Sequence, residues 1–290
     1  MKHWKPAVIA ALWSGALYAA PMPVVASFSI LGDVAQQIGG ERVAVQSLVG
    51  ANQDAHAYNL TSSDIKKIRE ARLVLLNGLG LEKAELQRAV KQSKVASAEA
   101  TAGIKPLAAD EHHHEHNHGH DHDHGEFDPH VWNDPVLMQR YAANVAIALI
   151  KADPAGSRYY QQRFKDYQNV LNQLNNYANQ QFGAVAPAKR KVLTGHDSFA
   201  YLGKRYQVKF ISPQGVSSEA EPSARQIAAI IRQIKAENVK AVFTENIKDG
   251  RMIARIAKET GVKVSGGLYA DALSSGAPAG TYADMFRYNV

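Results

Sequence analysis

Cysteine is absent from all 290 residues of the chain. No disulfide can brace the fold even in an oxidising compartment, and no thiol in this sequence can carry the lipid of a bacterial lipoprotein. A stripe of Lys and Arg interleaved with aromatics is also missing, so the formal charge of +6 gives no argument for binding nucleic acid. The His-Glu-x-x-His spacing occurs once, at His114 to His118, inside a run without hydrophobic residues that is not read as a helix, so it gives no zinc-hydrolase signature. The one long apolar stretch, Pro6 to Ala20, is broken by Ser14 and Gly15 and is too short to span a membrane comfortably.

Preceded by Met1-Lys2-His3-Trp4-Lys5, that stretch reads as a secretory signal peptide, residues 1–20, cut near Ala20. Its loss removes Lys2 and Lys5 and takes the formal charge from +6 to +4. The expectation is a mature protein free in a periplasm, exported through a cleaved signal and without a lipid anchor.

With 46% hydrophobic and 21% charged residues, the remainder suits one large globular domain or two lobes. From Val24, short apolar runs alternate with amphipathic ones, the pattern of an α/β protein with mostly parallel strands. Strands are read at Val24–Ser29, Val43–Val49 and Leu73–Leu76, and helices at Leu31–Ile38, Asp64–Arg72 and Pro135–Lys151. Asn133 or Asp134 is placed to cap the last of these. From Gly156 to Phe182, Tyr160, Phe164, Tyr167, Leu171, Leu174 and Ala178 recur at steps of three and four, placing them on one helix face. Such a helix is roughly 40 Å long. It is read as a spine between two lobes, because strand-helix alternation restarts beyond it. Strands are expected at Lys191–Thr194, Val208–Ser212, Ala241–Thr244 and Val262–Ser265, with a helix at Pro222–Ala236. The expected division is an N-terminal lobe at 21–155, a connecting helix at 156–183 and a C-terminal lobe at 184–290.

Histidine is distributed very unevenly. Nine of twelve fall within residues 112–135. Apart from His3 and the cluster His112, His113, His114, His116, His118, His120, His122 and His124, only His56, His130 and His196 are left. Each of the three sits in a loop or strand-to-helix junction, where open parallel sheets gather their ligands. Three neutral imidazoles suit zinc, and in the absence of thiols a fourth donor has to be a carboxylate or water. Asp271, after the last expected strand, and Glu245, after Val242-Phe243-Thr244, are equal candidates on the residues alone.

Five ordered motifs go further. Asp54-Ala55-His56-Ala57-Tyr58, Asp128-Pro129-His130-Val131-Trp132, Gly195-His196-Asp197-Ser198-Phe199, Glu219-Ala220-Glu221-Pro222-Ser223 and Leu268-Tyr269-Ala270-Asp271-Ala272-Leu273 resemble the successive motifs of the metal-binding solute-binding proteins of zinc and manganese ABC importers, the cluster A-I family. The resemblance covers essentially the whole mature chain. It implies two lobes, each with a parallel four-stranded sheet flanked by helices, joined by a long rigid helix, with one metal in the cleft. Carried over residue by residue, it implies the ligands His56, His130, His196 and Asp271. Manganese-binding members tend to have Glu where this chain has His196, so the resemblance points to Zn2+, with manganese or iron as the alternative. The implied partner is an ABC permease in the inner membrane, an auxiliary periplasmic zinc chaperone is a further candidate, and the protein is expected to act as a monomer. Two departures stand out: some zinc-binding relatives have a disulfide in the second lobe, and some have a Glu where this chain has Ala55.

The run from Asp110 to Glu126 contains no hydrophobic residue and cannot offset the entropy of ordering it. It is read as a mobile loop, 111–126, whose eight histidines offer auxiliary weak metal sites beside the cleft.

Overall fold

Near-continuous apolar runs make strands that are covered on both faces, as parallel sheets require. The computed structural model describes residues 20–109 and 127–290. In its first half β1 (Met22–Phe28), β2 (Val43–Val49), β3 (Leu73–Leu76) and β4 (Ala96–Glu99) form a parallel sheet in the order β2-β1-β3-β4. Helices α1 (Ser29–Gly39), α2 (Ser62–Glu70) and α3 (Ala84–Ser93) make the crossovers. Then come α4 (Leu137–Ala152) and the 27-residue α5 (Ser157–Gly183). The second half repeats the plan. Strands β5 (Lys191–Leu193), β6 (Lys209–Ile211), β7 (Ala241–Glu245) and β8 (Gly266–Leu268) are parallel in the order β6-β5-β7-β8, with α6 (Ala200–Tyr206), α7 (Ala224–Glu237) and α8 (Arg251–Thr260) between them and α9 (Tyr282–Asn289) last. The molecule is thus two parallel four-stranded sheets flanked by helices and linked by a long helix.

Helix α5 buries Tyr160, Tyr167, Leu171, Leu174 and Ala178, the face its spacing predicts, while Phe164 is half-buried. This face joins α1, α4, α6 and α9 to the first sheet in one extended core. The second sheet packs against α7 and α8 through a smaller, separate cluster that includes Leu193, Ile234, Val242 and Ile256.

Several elements differ from their sequence reading. The strand expected at Val262–Ser265 is not one; β8 lies at Gly266–Leu268, paired with β7 through Phe243 opposite Gly266. Helix α8 ends on Gly261 in the left-handed region, and Val262 N donates to Ala257 O as part of that cap, which delays the strand despite the β-branched residues. Helix α3 and strand β4 went unread, because β4 is a mostly exposed edge of sequence Ala-Ser-Ala-Glu with no apolar run to betray it. Helix α4 begins two residues after Pro135, and of its two candidate caps it is Asp134 whose Oδ1 accepts from Val136 N at 2.9 Å. The signal-peptide reading and the histidine-rich segment fall outside the described residues. The ends of that segment meet: Ala108 and Phe127 form an antiparallel bridge, and Asp128 N donates to Leu107 O at 2.9 Å.

Candidate metal centre

The loop after β2 turns on an aspartate. Asp54 Oδ1 accepts from the amides of His56 and Ala57 at 2.9 and 3.3 Å, a local turn that presents the His56 ring. The same device recurs before α4, where Asp128 Oδ1 accepts from His130 N at 2.9 Å. There the carboxylate also meets the ring, at 2.7 Å from Nδ1. Trp132, fully buried, packs edge-on to His130 and donates through Nε1 to Ala270 O at 2.8 Å, tying this loop to the neighbour of Asp271.

In the second half the site lies where the strand order reverses, between β5 and β7. Gly195 and His196 follow β5, and Glu245 ends β7. Glu245 Oε1 accepts from both amides, at 2.8 and 3.1 Å, while Oε2 stands 2.6 Å from His196 Nδ1. A Cβ on residue 195 would sit 3.0 Å from Glu245 Oε2, so glycine is what allows the approach. Glu245 therefore orients the histidine from behind, and the carboxylate that faces the other donors is Asp271.

His56, His130, His196 and Asp271 are all buried, and one ligand atom from each lies within 4.8 Å of the others. The spacing is closer than that bound. His56 Nε2 is 3.2 Å from His130 Nε2, and Asp271 oxygens are 3.5, 3.4 and 3.1 Å from the Nε2 atoms of His56, His130 and His196. Four donors with bonds of about 2.0–2.1 Å in a tetrahedron would be spaced at about 3.3 Å. His196 Nε2 and both Asp271 oxygens are also buried without a hydrogen-bond partner. Such atoms cost free energy unless a ligand meets them, and here they converge on one point.

The charges agree with this arrangement. Burial pulls His56 down to about 3, against the attraction of Asp271, so its ring is neutral at ordinary pH. Burial works on His196 too, but Glu245 and Asp271 reverse it and hold the ring well above its usual range. Burial would raise Asp271, yet His196 and His130 keep it well below the usual carboxylate range. With a carboxylate on Nδ1, His130 and His196 each offer Nε2 to a metal, an outer contact that fixes ring orientation and raises ligand basicity.

The histidines at 112–124 lie outside the described residues. The orienting roles of Asp128 and Glu245 went unread. The repeated Asp-x-His spacing was a usable signal for Asp128, but Glu245 has none, since its partner is 49 residues away.

A family model described as ZnuA, zinc-uptake complex component A, periplasmic, matches residues 24–290. The manganese-binding lipoprotein MntA of Bacillus subtilis is 32% identical over 279 residues, covering 93% of this chain and 87% of that protein. The iron-binding protein YfeA of Yersinia pestis is 29% identical over 268 residues, covering 92% and 83%. Among solved structures, the periplasmic zinc binding protein TroA from Treponema pallidum superposes with a TM-score of 0.84 at 26% identity, over 93% of this chain and 96% of that one. These comparisons correct one expectation. A protein without a lipid anchor does not stand, because MntA and several further relatives are named lipoproteins. The expectation rested on the missing cysteine.

Proposed function

Because the chain belongs to the ZnuA family of periplasmic metal-binding components of ABC importers, we propose that it captures Zn2+ in the cleft and delivers it to the permease of a zinc uptake system. Members of this family are solute-binding transport proteins rather than enzymes, and work with a membrane permease and its ATPase. The observation that carries the zinc reading is the donor set, three imidazole Nε2 atoms and one carboxylate at tetrahedral spacing. Nitrogen-rich shells suit zinc, whereas manganese gains more from oxygen. In this reading the lobes run over 21–155 and 184–290 with 156–183 as the spine, and the protein acts as a monomer, an auxiliary periplasmic zinc chaperone being a further candidate partner.

Manganese or iron is the second reading, and it has its own support. Relatives are named for both metals. Asp271 also turns both oxygens inward, Oδ1 toward His130 and Oδ2 toward His196, which puts a fifth donor within reach of an ion that prefers more ligands. Zinc outbinds manganese at most nitrogen-containing sites, so the order of affinities alone does not separate the readings. Metal accumulation in cells lacking the protein, together with analysis of the metal that copurifies from metal-replete cells, does. A zinc deficit and copurified zinc are expected; a manganese or iron deficit with zinc uptake intact replaces the first reading by the second.

The eight histidines from His112 to His124 are proposed to gather zinc weakly and hand it to the cleft. The bridge between Ala108 and Phe127 supports this, since it brings both ends of the segment within three residues of His130. In competition titrations, deleting residues 111–125 should leave one tight zinc per chain and remove the weaker ones. His130→Ala or His196→Ala should lower zinc affinity by more than the roughly 100-fold reached when an outer contact is lost. His114→Ala alone should change little, and equal losses at all three positions would count against the assignment.

A further inference from the structure

Two of the histidines share a local design and differ in one contact. In Asp54-Ala55-His56 and Asp128-Pro129-His130 the carboxylate accepts the histidine amide at the same 2.9 Å. Asp128 then grips the His130 ring as well. Asp54 does not: its Oδ2 accepts from the hydroxyl of Ser218, 2.5 Å away, on the connection between β6 and α7 in the other half of the molecule. Among the described residues no carboxylate is bonded to His56 Nδ1.

Ser218 is fully buried and is held from its own side before it reaches Asp54. Its carbonyl accepts from Gln214 Nε2 at 3.1 Å and from Lys248 Nζ. A second contact crosses the same mouth, Lys83 to Glu219 at 2.7 Å, but it is partly exposed and correspondingly weak. Beside the His56 loop is a cavity of about 290 Å³, lined by Ala55, Tyr58 and Leu60 of that loop and by Leu81, Lys83 and Leu86. The rings of His130 and His196 cannot turn from the metal without breaking a charge-assisted bond, whereas among the described residues His56 is held from behind only by its backbone turn.

We propose that Ser218 is the positioning residue that keeps His56 in the metal shell, and that metal leaves when this catch opens and the His56 loop moves into the neighbouring cavity. The inference rests on the four-residue metal site described above. Cargo is then held by two anchored histidines, by Asp271, and by one histidine latched from across the cleft, so the rate of release is set at the latch. Separation of the two halves, by whatever the permease does to them, opens the latch first.

The test is stopped-flow dissociation of Zn2+ from the full protein into excess chelator. Losing a hydrogen bond to a charged acceptor should make release from Ser218→Ala roughly tenfold faster than from wild type. The association rate of Zn2+ should stay unchanged, so that affinity falls through release alone, which a merely structural role would not predict. In an Asp54→Ala background the Ser218→Ala change should add nothing, because the partner is gone. Leu81→Phe, which fills part of the cavity, should act in the opposite direction and slow release. A wild-type rate in Ser218→Ala, or an acceleration that persists undiminished without Asp54, overturns the proposal. If instead wild type itself fails to bind zinc tightly, the metal site is what has failed.

Discussion

The two sheets have the same strand order and contribute very unequally to the core they share. Strands of seven, seven, four and four residues build the first, and strands of three, three, five and three the second. The first puts most of its strand residues into the extended core with α1, α4, α5, α6 and α9, and covers its other face with α2 and α3 through Ile68, Val74, Leu86 and Val90. The second reaches that core with Leu268 and the half-buried Val192, Phe210 and Phe243, and covers its other face with α7 and α8 through a cluster of eight buried residues. Topology places the ligands in both halves, at the carboxyl ends of strands, and the size of the core decides how stiffly each pair is carried. Two donors are thus mounted on a heavy frame and two on a lighter one.

The largest effect that would break this comparison is at the frame. Trp132 is fully buried, lies 5.0 Å from the Phe28 ring and bonds to Ala270 across the halves. Trp132→Ala should cost about 3–5 kcal/mol and lower the stability of the whole molecule in denaturant unfolding. Ile256→Ala, in the smaller cluster, should cost less and expose β5 to β8 in hydrogen exchange before the first sheet. Equal, global effects at both positions would mean that the halves unfold as one body.

Next comes acidity, which acts on the halves with opposite signs in the metal-free protein. His56, in the first, has its folded value lowered to about 3 by burial, so its contribution is present above the ordinary 6.5 and is lost as pH falls from there toward 3. His196, in the second, is held well above 6.5 by Glu245 and Asp271 despite its burial. Its contribution is complete below 6.5 and is lost as pH rises through the raised value. Thermal melting should therefore fall off on both sides, by a few kcal/mol on the acid limb. His56→Asn should flatten the acid side alone, whereas His196→Gln should flatten the alkaline side and, by releasing Asp271, part of the acid side too.

The smallest expected effect sharpens the comparison at matched positions. Thr61 and Ser223 each begin a helix with a reciprocal capping box, closed by Asp64 in the first half and Gln226 in the second. Thr61→Ala and Ser223→Ala should each cost about 1 kcal/mol, with the first the larger because its partner is a carboxylate that also binds Tyr58 and Lys67. A larger loss at Ser223 would show that the lighter half depends on its caps more than its core size implies.

The four donors are legible in the sequence for a chemical reason. Outside residues 1–19 and the 112–124 run the chain contains three histidines, and each stands in a loop. Choosing between Asp271 and Glu245 is a different kind of problem. Their roles depend on β7 lying beside β5, a neighbour relation set by sheet order that leaves no local pattern. The long helix was readable because its apolar face persists for about five turns, whereas β4 and β8 are short, polar or glycine-rich and are held by pairing alone. Helices α3, α6, α8 and α9 also went unread; at seven to ten residues each has too few turns for its apolar spacing to stand out.

The antiparallel bridge between Ala108 and Phe127 gives the molecule a place where chain can be added at little mechanical cost. Whatever is spliced between those residues starts and finishes at one spot, so neither its length nor its chemistry pulls on the bonds that hold His130. A sequence inserted there can lengthen, shrink or be exchanged for another while the ring of contacts behind it stays closed.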